Sequence, residues 1–192
     1  MIPFKELRER LQKSSAIENT LKRRLWILAI LTDAMKTIGE RPVLIGGQAL
    51  EYYTLGGYTT GDIDIALPSS KEVDTIFSKL GFHKEGRYWI REDIDALIEA
   101  PTSDLSGEDA QLVELEIEDM HCYIIGLEDL IIDRLNGYVH WHWEDDGRWV
   151  KRLLSLHAEE IDKEYLFRKA REQSTEQTLM KIYQELHEDK RP

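Results

Sequence analysis

The chain of 192 residues carries 25 Lys and Arg against 37 Asp and Glu, a formal net charge of −12, and 42% of its residues are hydrophobic. This length and apolar content suit one compact domain, or a small domain with a helical appendage, and exclude global disorder. The single cysteine, Cys122, excludes an intramolecular disulfide framework and a multi-cysteine zinc site. We expect a soluble, cytoplasmic protein without a membrane partner, because no apolar run approaches the ~20 residues that span a bilayer and the N-terminal segment lacks a signal-peptide pattern.

The negative charge is concentrated in the middle of the chain. Residues 42–133 hold 5 basic and 20 acidic side chains, a net charge of −15, whereas residues 1–41 have a net charge of +4 and residues 134–192 one of −1. Such a block repels bare nucleic acid but not a nucleotide that brings magnesium. Two interpretations stay open: a solvated acidic surface, and a cation site built from converging carboxylates.

Hydrophobic periodicity predicts two helices at the start of the chain. The first is amphipathic and covers residues 4–13. The second is predicted to begin near Ala16, because Ser15 and Glu18 have capping-box spacing, and to end at about Ile38. The basic stretch that follows Ser15, Lys22-Arg23-Arg24, is expected to be solvated surface, or else a contact for an acidic partner or an RNA acceptor.

Strand patterns dominate the middle of the sequence. A short buried strand at residues 43–45 ends at a Gly-Gly pair and precedes about two helical turns, and a helix is predicted over residues 71–80. Alternating or apolar segments predict further strands over residues 62–67, 82–91, 95–100, 113–117 and 121–125. From Leu127 onward the pattern is helical, with Asp162 as N-cap of a helix over residues 163–172.

These elements predict an α+β fold with a mixed β-sheet of about five strands flanked by helices, and a C-terminal helical region. We expect three parts: N-terminal helices (1–41) that pack on the core, an α/β core (42–125) and the C-terminal helical region (126–192). Two conspicuous features receive structural interpretations. The tryptophans of His140-Trp141-His142-Trp143 are expected to pack the helical tail onto the sheet or to form a subunit contact, and Cys122 is expected to be a buried thiol.

The Gly46-Gly47 pair is the first feature that points to chemistry. A strand that ends in glycines and leads into a helix aims free backbone N–H groups at an anion, and the helix dipole adds to the attraction. Glycine is needed there because a Cβ atom would block the close approach of a phosphate. A tight turn without a ligand is the alternative interpretation.

Acidic residues on two predicted strands are the second feature. Side chains two apart on a strand share a face, so Asp62 and Asp64 project together while Ile63 enters the core. Paired carboxylates repel each other unless they are solvated or share a cation, and Mg²⁺ prefers such hard oxygen ligands. Glu99, or Asp95 on the same face, would complete a three-carboxylate cluster; the alternative is an ordinary wet strand face.

Together these residues resemble the nucleotidyltransferase superfamily, whose fold is named for DNA polymerase beta. The resemblance is carried by Ile45-Gly46-Gly47 and by Asp62-Ile63-Asp64-Ile65, with a third acid on a neighbouring strand. The segment Thr60-Gly61-Asp62-Ile63-Asp64 is similar to the Thr-x-Asp-x-Asp of an uncharacterised prokaryotic branch related to abortive-infection and toxin–antitoxin nucleotidyltransferases. A wider likeness runs through three further segments: Gly86-Arg87-Tyr88-Trp89, Leu97-Ile98-Glu99-Ala100-Pro101 and residues 127–135.

The resemblance implies a metal-dependent transfer of a nucleoside monophosphate from an NTP to an acceptor, which would be an RNA, a protein or a small molecule. It implies a cognate protein partner or a homodimer, in a toxin–antitoxin type of system. Its catalytic residues, and the ligands of a two-metal Mg²⁺ site, would be Asp62, Asp64 and Glu99. Its nucleotide-binding residues would be Gly46, Gly47, Gln48, Thr60 and Arg87.

Two departures from the family pattern keep a second interpretation open. Many active relatives have Ser where this chain has Gly47, and an arginine often precedes the Thr-x-Asp segment where this chain has Tyr58. Arg87 or Arg134 would then have to supply the missing phosphate contact. The alternative is a catalytically inactive nucleotidyltransferase-fold protein with a binding or regulatory role.

Overall fold

The computed structural model describes residues 2–105, 107 and 109–188. Its described part contains eight α-helices and one mixed sheet of seven strands, so the mixed helix-and-sheet class is confirmed while the predicted count of about five strands is wrong. The chain divides into two compact units, Met1–Ile125 and Gly126–Pro192. No helix within the described ranges combines the length and apolarity needed to cross a membrane.

The first unit holds the sheet and four helices. Its elements are α1 (Phe4–Lys13), α2 (Thr20–Met35), β1 (Val43–Leu44), α3 (Gly46–Tyr53), β2 (Ile63–Ala66), α4 (Lys71–Lys79), β3 (His83–Glu85), β4 (Tyr88–Arg91), β5 (Ala96–Thr102), β6 (Leu112–Ile117) and β7 (Met120–Ile125). The strand order is β3-β4-β5-β2-β1-β7-β6. The pairs β2–β5 and β1–β7 are parallel, and the other neighbouring pairs are antiparallel.

All six predicted strand segments are present, and a seventh strand arises because residues 82–91 form two strands rather than one. The chain turns at Gly86, whose φ of +59° lies in the left-handed region that glycine enters without strain. His83 therefore pairs back with Ile90, which makes a hairpin of β3 and β4. The remaining predicted strands all join the same sheet.

Helix α2 begins later than predicted and lies in the core. Asn19 is its N-cap, and the side-chain oxygen of Asn19 accepts a hydrogen bond from the N–H of Lys22 at 2.8 Å. The predicted start near Ala16 is wrong, because Ser14–Ala16 forms a short 3-10 turn instead. Every residue from Ile27 to Met35 is buried, so the second half of α2 is covered on all sides.

The two faces of the sheet around β2 and β5 have opposite characters. Ile63 pairs with Ile98, Ile98 pairs with Trp89, and the Trp89 ring stacks on Phe77 of α4 with 4.3 Å between ring centroids. This face is the apolar core. Neighbouring residues along a strand point to opposite faces. Asp64, Glu99 and Tyr88, each adjacent in sequence to one of these apolar residues, therefore line the other face.

The second unit is helical, with α5 (Leu127–Trp141), α6 (Glu144–Leu156), α7 (Lys163–Glu172) and α8 (Glu176–Glu188). The predicted N-cap of α7 is confirmed, since Oδ1 of Asp162 accepts the N–H of Tyr165 at 3.0 Å. The prediction that the two tryptophans pack onto the sheet is wrong. Trp141 and Trp143 are 61% and 59% exposed, and their rings stack on each other. Trp141 is the last residue of α5 and Trp143 precedes α6, so both lie at a turn, where His142 adopts a left-handed φ of +57°, and not on a helix face that packs inwards. A subunit contact through them stays a prediction.

Candidate functional site

Three carboxylates converge on the polar face of the sheet. Asp62, Asp64 and Glu99 each present an oxygen atom, and these atoms lie within 4.8 Å of one another. The pairing of parallel strands β2 and β5 sets Asp64 directly beside Glu99. Asp62 lies two residues before Asp64 and projects to the same side. The cluster therefore follows from the strand register that buries Ile63 and Ile98 on the opposite face.

Two neighbouring side chains contact acids of this cluster. Glu99 is only 7% exposed, and Oε1 of Glu99 lies 3.2 Å from Nη1 of Arg87. The hydroxyl of Thr60 donates a hydrogen bond to Oδ1 of Asp62 at 2.7 Å. Three carboxylates at such distances repel one another when ionised, so a cation between them is favoured. The arrangement can therefore bind a cation through hard oxygen ligands.

The choice between Glu99 and Asp95 is resolved by the geometry. Asp95 precedes β5 in a left-handed conformation, φ +52°, and its side chain is 84% exposed and pairs with Arg23 at 3.3 Å. Glu99 is the acid that belongs to the cluster. The backbone turn before β5 breaks the alternation that placed the two acids on one face in the sequence-based prediction.

Gly46 brings the first turn of α3 against the cluster. Its φ is +61°, and a Cβ atom built on it would lie 2.6 Å from Oδ2 of Asp64. The N–H of Ile45 donates to the backbone oxygen of Asp64 at 3.0 Å, which ties the start of the helix to β2. The first-turn N–H groups of a helix have no acceptor within the helix and attract anions. The Gly46 end of α3 thus places N–H groups that could bind an anion beside carboxylates that could bind a cation.

Gly47 is required by a different neighbour. A Cβ atom on Gly47 would lie 2.9 Å from Cε1 of Tyr58 and 3.2 Å from Cβ of Thr60. Gly47 and Tyr58, the two departures from the family pattern, are therefore neighbours in space. The tyrosine ring occupies the space that a serine side chain at position 47 would need.

Gln48 and Arg24 form a buried network behind the site. Gln48 is fully buried; its Oε1 accepts from Nη1 of Arg24 at 2.7 Å, and its amide donates to Glu51. Nη2 of Arg24 also donates to the backbone oxygen of Gly61, 3.3 Å away. The side chain of Gln48 is thus engaged in the interior, and the role predicted for it in nucleotide binding stays a prediction.

Sequence reasoning missed the role of Arg24. The expectation that it belongs to a solvated basic surface is wrong, since Arg24 is buried and burial lowers the pKa of its guanidinium despite the nearby Glu51. The signal was present in its position, because residue 24 lies one and two helical turns before the buried Leu28 and Leu31. Arg134, the other candidate phosphate contact, pairs within the helical unit with Asp133 and Asp146.

Comparison with known proteins adds no assignment. No protein-family model matches the chain, and no curated protein is found to match it. The function is accordingly inferred from the geometry of the carboxylate cluster and of its neighbours.

Proposed function

We propose that this chain is a metal-dependent nucleotidyltransferase, which transfers a nucleoside monophosphate from an NTP to a hydroxyl-bearing acceptor. The observation that supports the proposal is the convergence of Asp62, Asp64 and Glu99 within 4.8 Å, beside the helix that begins at Gly46. The sequence resemblance described above predicts the same three acids. The proposal includes the toxin–antitoxin setting of that resemblance, with a cognate protein or a second copy as partner.

The donor set fits Mg²⁺. Three carboxylates supply only hard oxygen ligands, and Mg²⁺ in nucleotide sites combines a few carboxylates with substrate phosphates. The absent side chain at Gly46 leaves the backbone in direct contact with Asp64, so a phosphate held at the start of α3 would lie next to the metal ligands. When bound, Mg²⁺ would neutralise phosphate charge and lower the pKa of the attacking hydroxyl.

The protein residues supply orientation and charge. The start of α3 would bind the β- and γ-phosphates through backbone N–H groups, and Asp62, Asp64 and Glu99 would hold the cation that offsets the charge of the phosphates. Thr60 holds Asp62 in place through their 2.7 Å hydrogen bond. Pre-positioned dipoles and charges of this kind are the main source of catalysis in phosphoryl transfer.

The transfer itself is an in-line displacement. The acceptor oxygen forms a bond to the α-phosphorus while the bond from that phosphorus to the oxygen bridging to the β-phosphate breaks. Pyrophosphate leaves with the electron pair of the broken bond. The proton of the acceptor hydroxyl passes to solvent or to a carboxylate of the cluster, and the nucleoside monophosphate stays on the acceptor.

A thermal-shift titration followed by a turnover assay tests the proposal. We expect Mg²⁺ with at least one of the four NTPs to raise the melting temperature, and we expect pyrophosphate release or self-labelling with that NTP. Stabilisation without pyrophosphate release, across RNA, protein and small-molecule acceptors, would favour the inactive binding protein instead. No stabilisation by any NTP would contradict both.

A further inference from the structure

Arg87 brings a positive charge into contact with the carboxylate cluster. It lies at the turn of the β3–β4 hairpin, directly after Gly86, and its side chain is 69% exposed. Nη1 of Arg87 is 3.2 Å from Oε1 of Glu99, and Nη2 donates to the hydroxyl of Tyr88 at 2.6 Å. The guanidinium carbon lies 4.9 Å from the centre of the Tyr88 ring.

The pairing between Arg87 and Glu99 competes with any divalent cation at the cluster. Glu99 is one of the three acids whose oxygens converge, so its carboxylate would have to serve both the guanidinium and the metal. Two cations of like charge that share one carboxylate repel each other. Binding of a divalent cation therefore disfavours the ion pair between Arg87 and Glu99.

Arg87 has the properties of a group that can exchange partners. An ion pair with one exposed partner contributes little free energy, so breaking it opposes metal binding only weakly. The hydroxyl and ring of Tyr88 also hold the guanidinium, a group that keeps its charge throughout the pH range of folded proteins. The side chain therefore stays charged and close to the cluster. A planar guanidinium binds phosphate oxygens with paired hydrogen bonds, which a freed Arg87 could offer to a substrate.

We propose that Arg87 couples metal binding to substrate binding: it pairs with Glu99, leaves that carboxylate when a divalent cation binds there, and then contacts the triphosphate of the nucleotide. This inference depends on the function proposed above. It predicts that metal and triphosphate bind cooperatively, because the metal frees the side chain that the triphosphate needs. One substitution should consequently change the two affinities in opposite directions.

The test compares Arg87→Gln with the unmodified full chain in two titrations. The first uses Mn²⁺ alone, with free Mn²⁺ measured by electron paramagnetic resonance. We expect Arg87→Gln to bind Mn²⁺ about two- to fivefold more tightly, the range for losing one ion pair whose cationic partner is exposed. The second uses inorganic triphosphate at saturating Mn²⁺, which avoids any assumption about the base. We expect about tenfold weaker binding, as for one charge-assisted contact.

Lys84→Gln is the matched control. Lys84 lies on the same hairpin and its loss removes the same charge, but its ammonium group pairs with Asp74 at 2.8 Å and not with the cluster. We expect both affinities to change by less than about twofold in this variant, as for a distant screened charge. Arg87→Lys is a second variant, which keeps the charge and should restore most of the difference in Mn²⁺ affinity.

The outcomes distinguish a failure of the proposed coupling from a failure of the proposed nucleotidyltransferase function. If the unmodified chain binds neither Mn²⁺ nor triphosphate, the proposed function is contradicted and the coupling with it. If the unmodified chain binds both and Arg87→Gln leaves the Mn²⁺ affinity unchanged, only the coupling is overturned. Weaker Mn²⁺ binding in Arg87→Gln would also overturn it, since Arg87 would then support the cluster rather than compete for it.

Discussion

Gly46 and Asp64 are in such close contact that a Cβ atom on the glycine would lie 2.6 Å from Oδ2 of the aspartate. The contact joins the first residue of α3 to the middle of β2. It brings the N-terminal end of a helix, where anions are favoured, next to a carboxylate of the cluster that we propose as the metal site. The following experiments test what this arrangement, and the residues around it, contribute.

Replacing Gly46 by alanine should disturb both stability and the site. The left-handed φ of +61° disfavours any side chain by about 1 kcal/mol, and the new methyl group must displace the carboxylate of Asp64. We expect a lower free energy of unfolding in urea and a loss of Mn²⁺ binding. Gly39→Ala is the control, because Gly39 also has a positive φ, +76°, but its new methyl group would meet no described atom within 4 Å. Equal loss of Mn²⁺ binding in both variants would contradict the account.

The contact between Gly47 and Tyr58 predicts a non-additive pair of substitutions. Gly47→Ser alone should destabilise the fold by about 1–3 kcal/mol, because the added side chain overlaps the tyrosine ring. In the background of Tyr58→Ala the same change should cost less, since the closest contact is then removed and only the looser one with Thr60 remains. A double-mutant cycle from urea unfolding measures the coupling. Additive effects within about 0.3 kcal/mol would show that the two residues do not share this space.

Arg24 should support the fold from behind the site. Arg24→Met leaves Glu51 buried without its cation and removes the hydrogen bond to Gln48, so we expect a loss of about 3 kcal/mol in the free energy of unfolding. The neighbouring Arg23→Met removes only a contact with the exposed Asp95, and should change stability by less than about 0.5 kcal/mol. Chemical denaturation of the two variants measures the difference. Similar stabilities would mean that the buried network contributes nothing.

The burial of the Cys122 thiol can be tested by its reactivity and by the pH dependence of stability. Burial raises the pKa of its thiol from 9.0 to about 12, so the folded chain holds the neutral form. At pH 8 a thiol reagent should label the protein only as fast as it unfolds, and urea should accelerate the labelling. Because the folded pKa is raised, this group's stabilising contribution is complete below pH 9.0 and is lost as the pH rises towards about 12. Rapid labelling of the folded chain at pH 8 would contradict the burial.

Part of the carboxylate cluster was predictable because side chains alternate between the two faces of a strand. Asp62 and Asp64 could be assigned to one face from the sequence, since Ile63 and Ile65 between and beyond them are apolar. Glu99 could be named as the third acid from the resemblance, but its pairing with Asp64 depends on the order of the strands. That order comes from contacts between segments distant in the sequence, which local patterns do not encode.

Other features depended on local conformations or on surroundings that a residue's type does not reveal. The hairpin at Gly86 was predicted as one strand because its flanking residues all favour extended structure. Arg24 was assigned to the surface by its charge, although its helix position matches that of Leu28. Trp141 was expected, because of its size, to pack onto the sheet or to form a subunit contact, and it is exposed. In each case tertiary packing overrides the average behaviour of the residue type.

The most direct test of the central claim is the affinity for Mg²⁺ with NTP in Asp64→Asn, measured by calorimetry beside Asp95→Asn. Both variants lose one carboxylate in the same chemical way, but Asp64 belongs to the cluster and Asp95 is an exposed acid outside it. We predict that Asp64→Asn abolishes metal-dependent nucleotide binding while the protein stays folded, and that Asp95→Asn binds as the unmodified chain does. Unchanged affinity in Asp64→Asn would contradict the assignment of these carboxylates as a metal and nucleotide site.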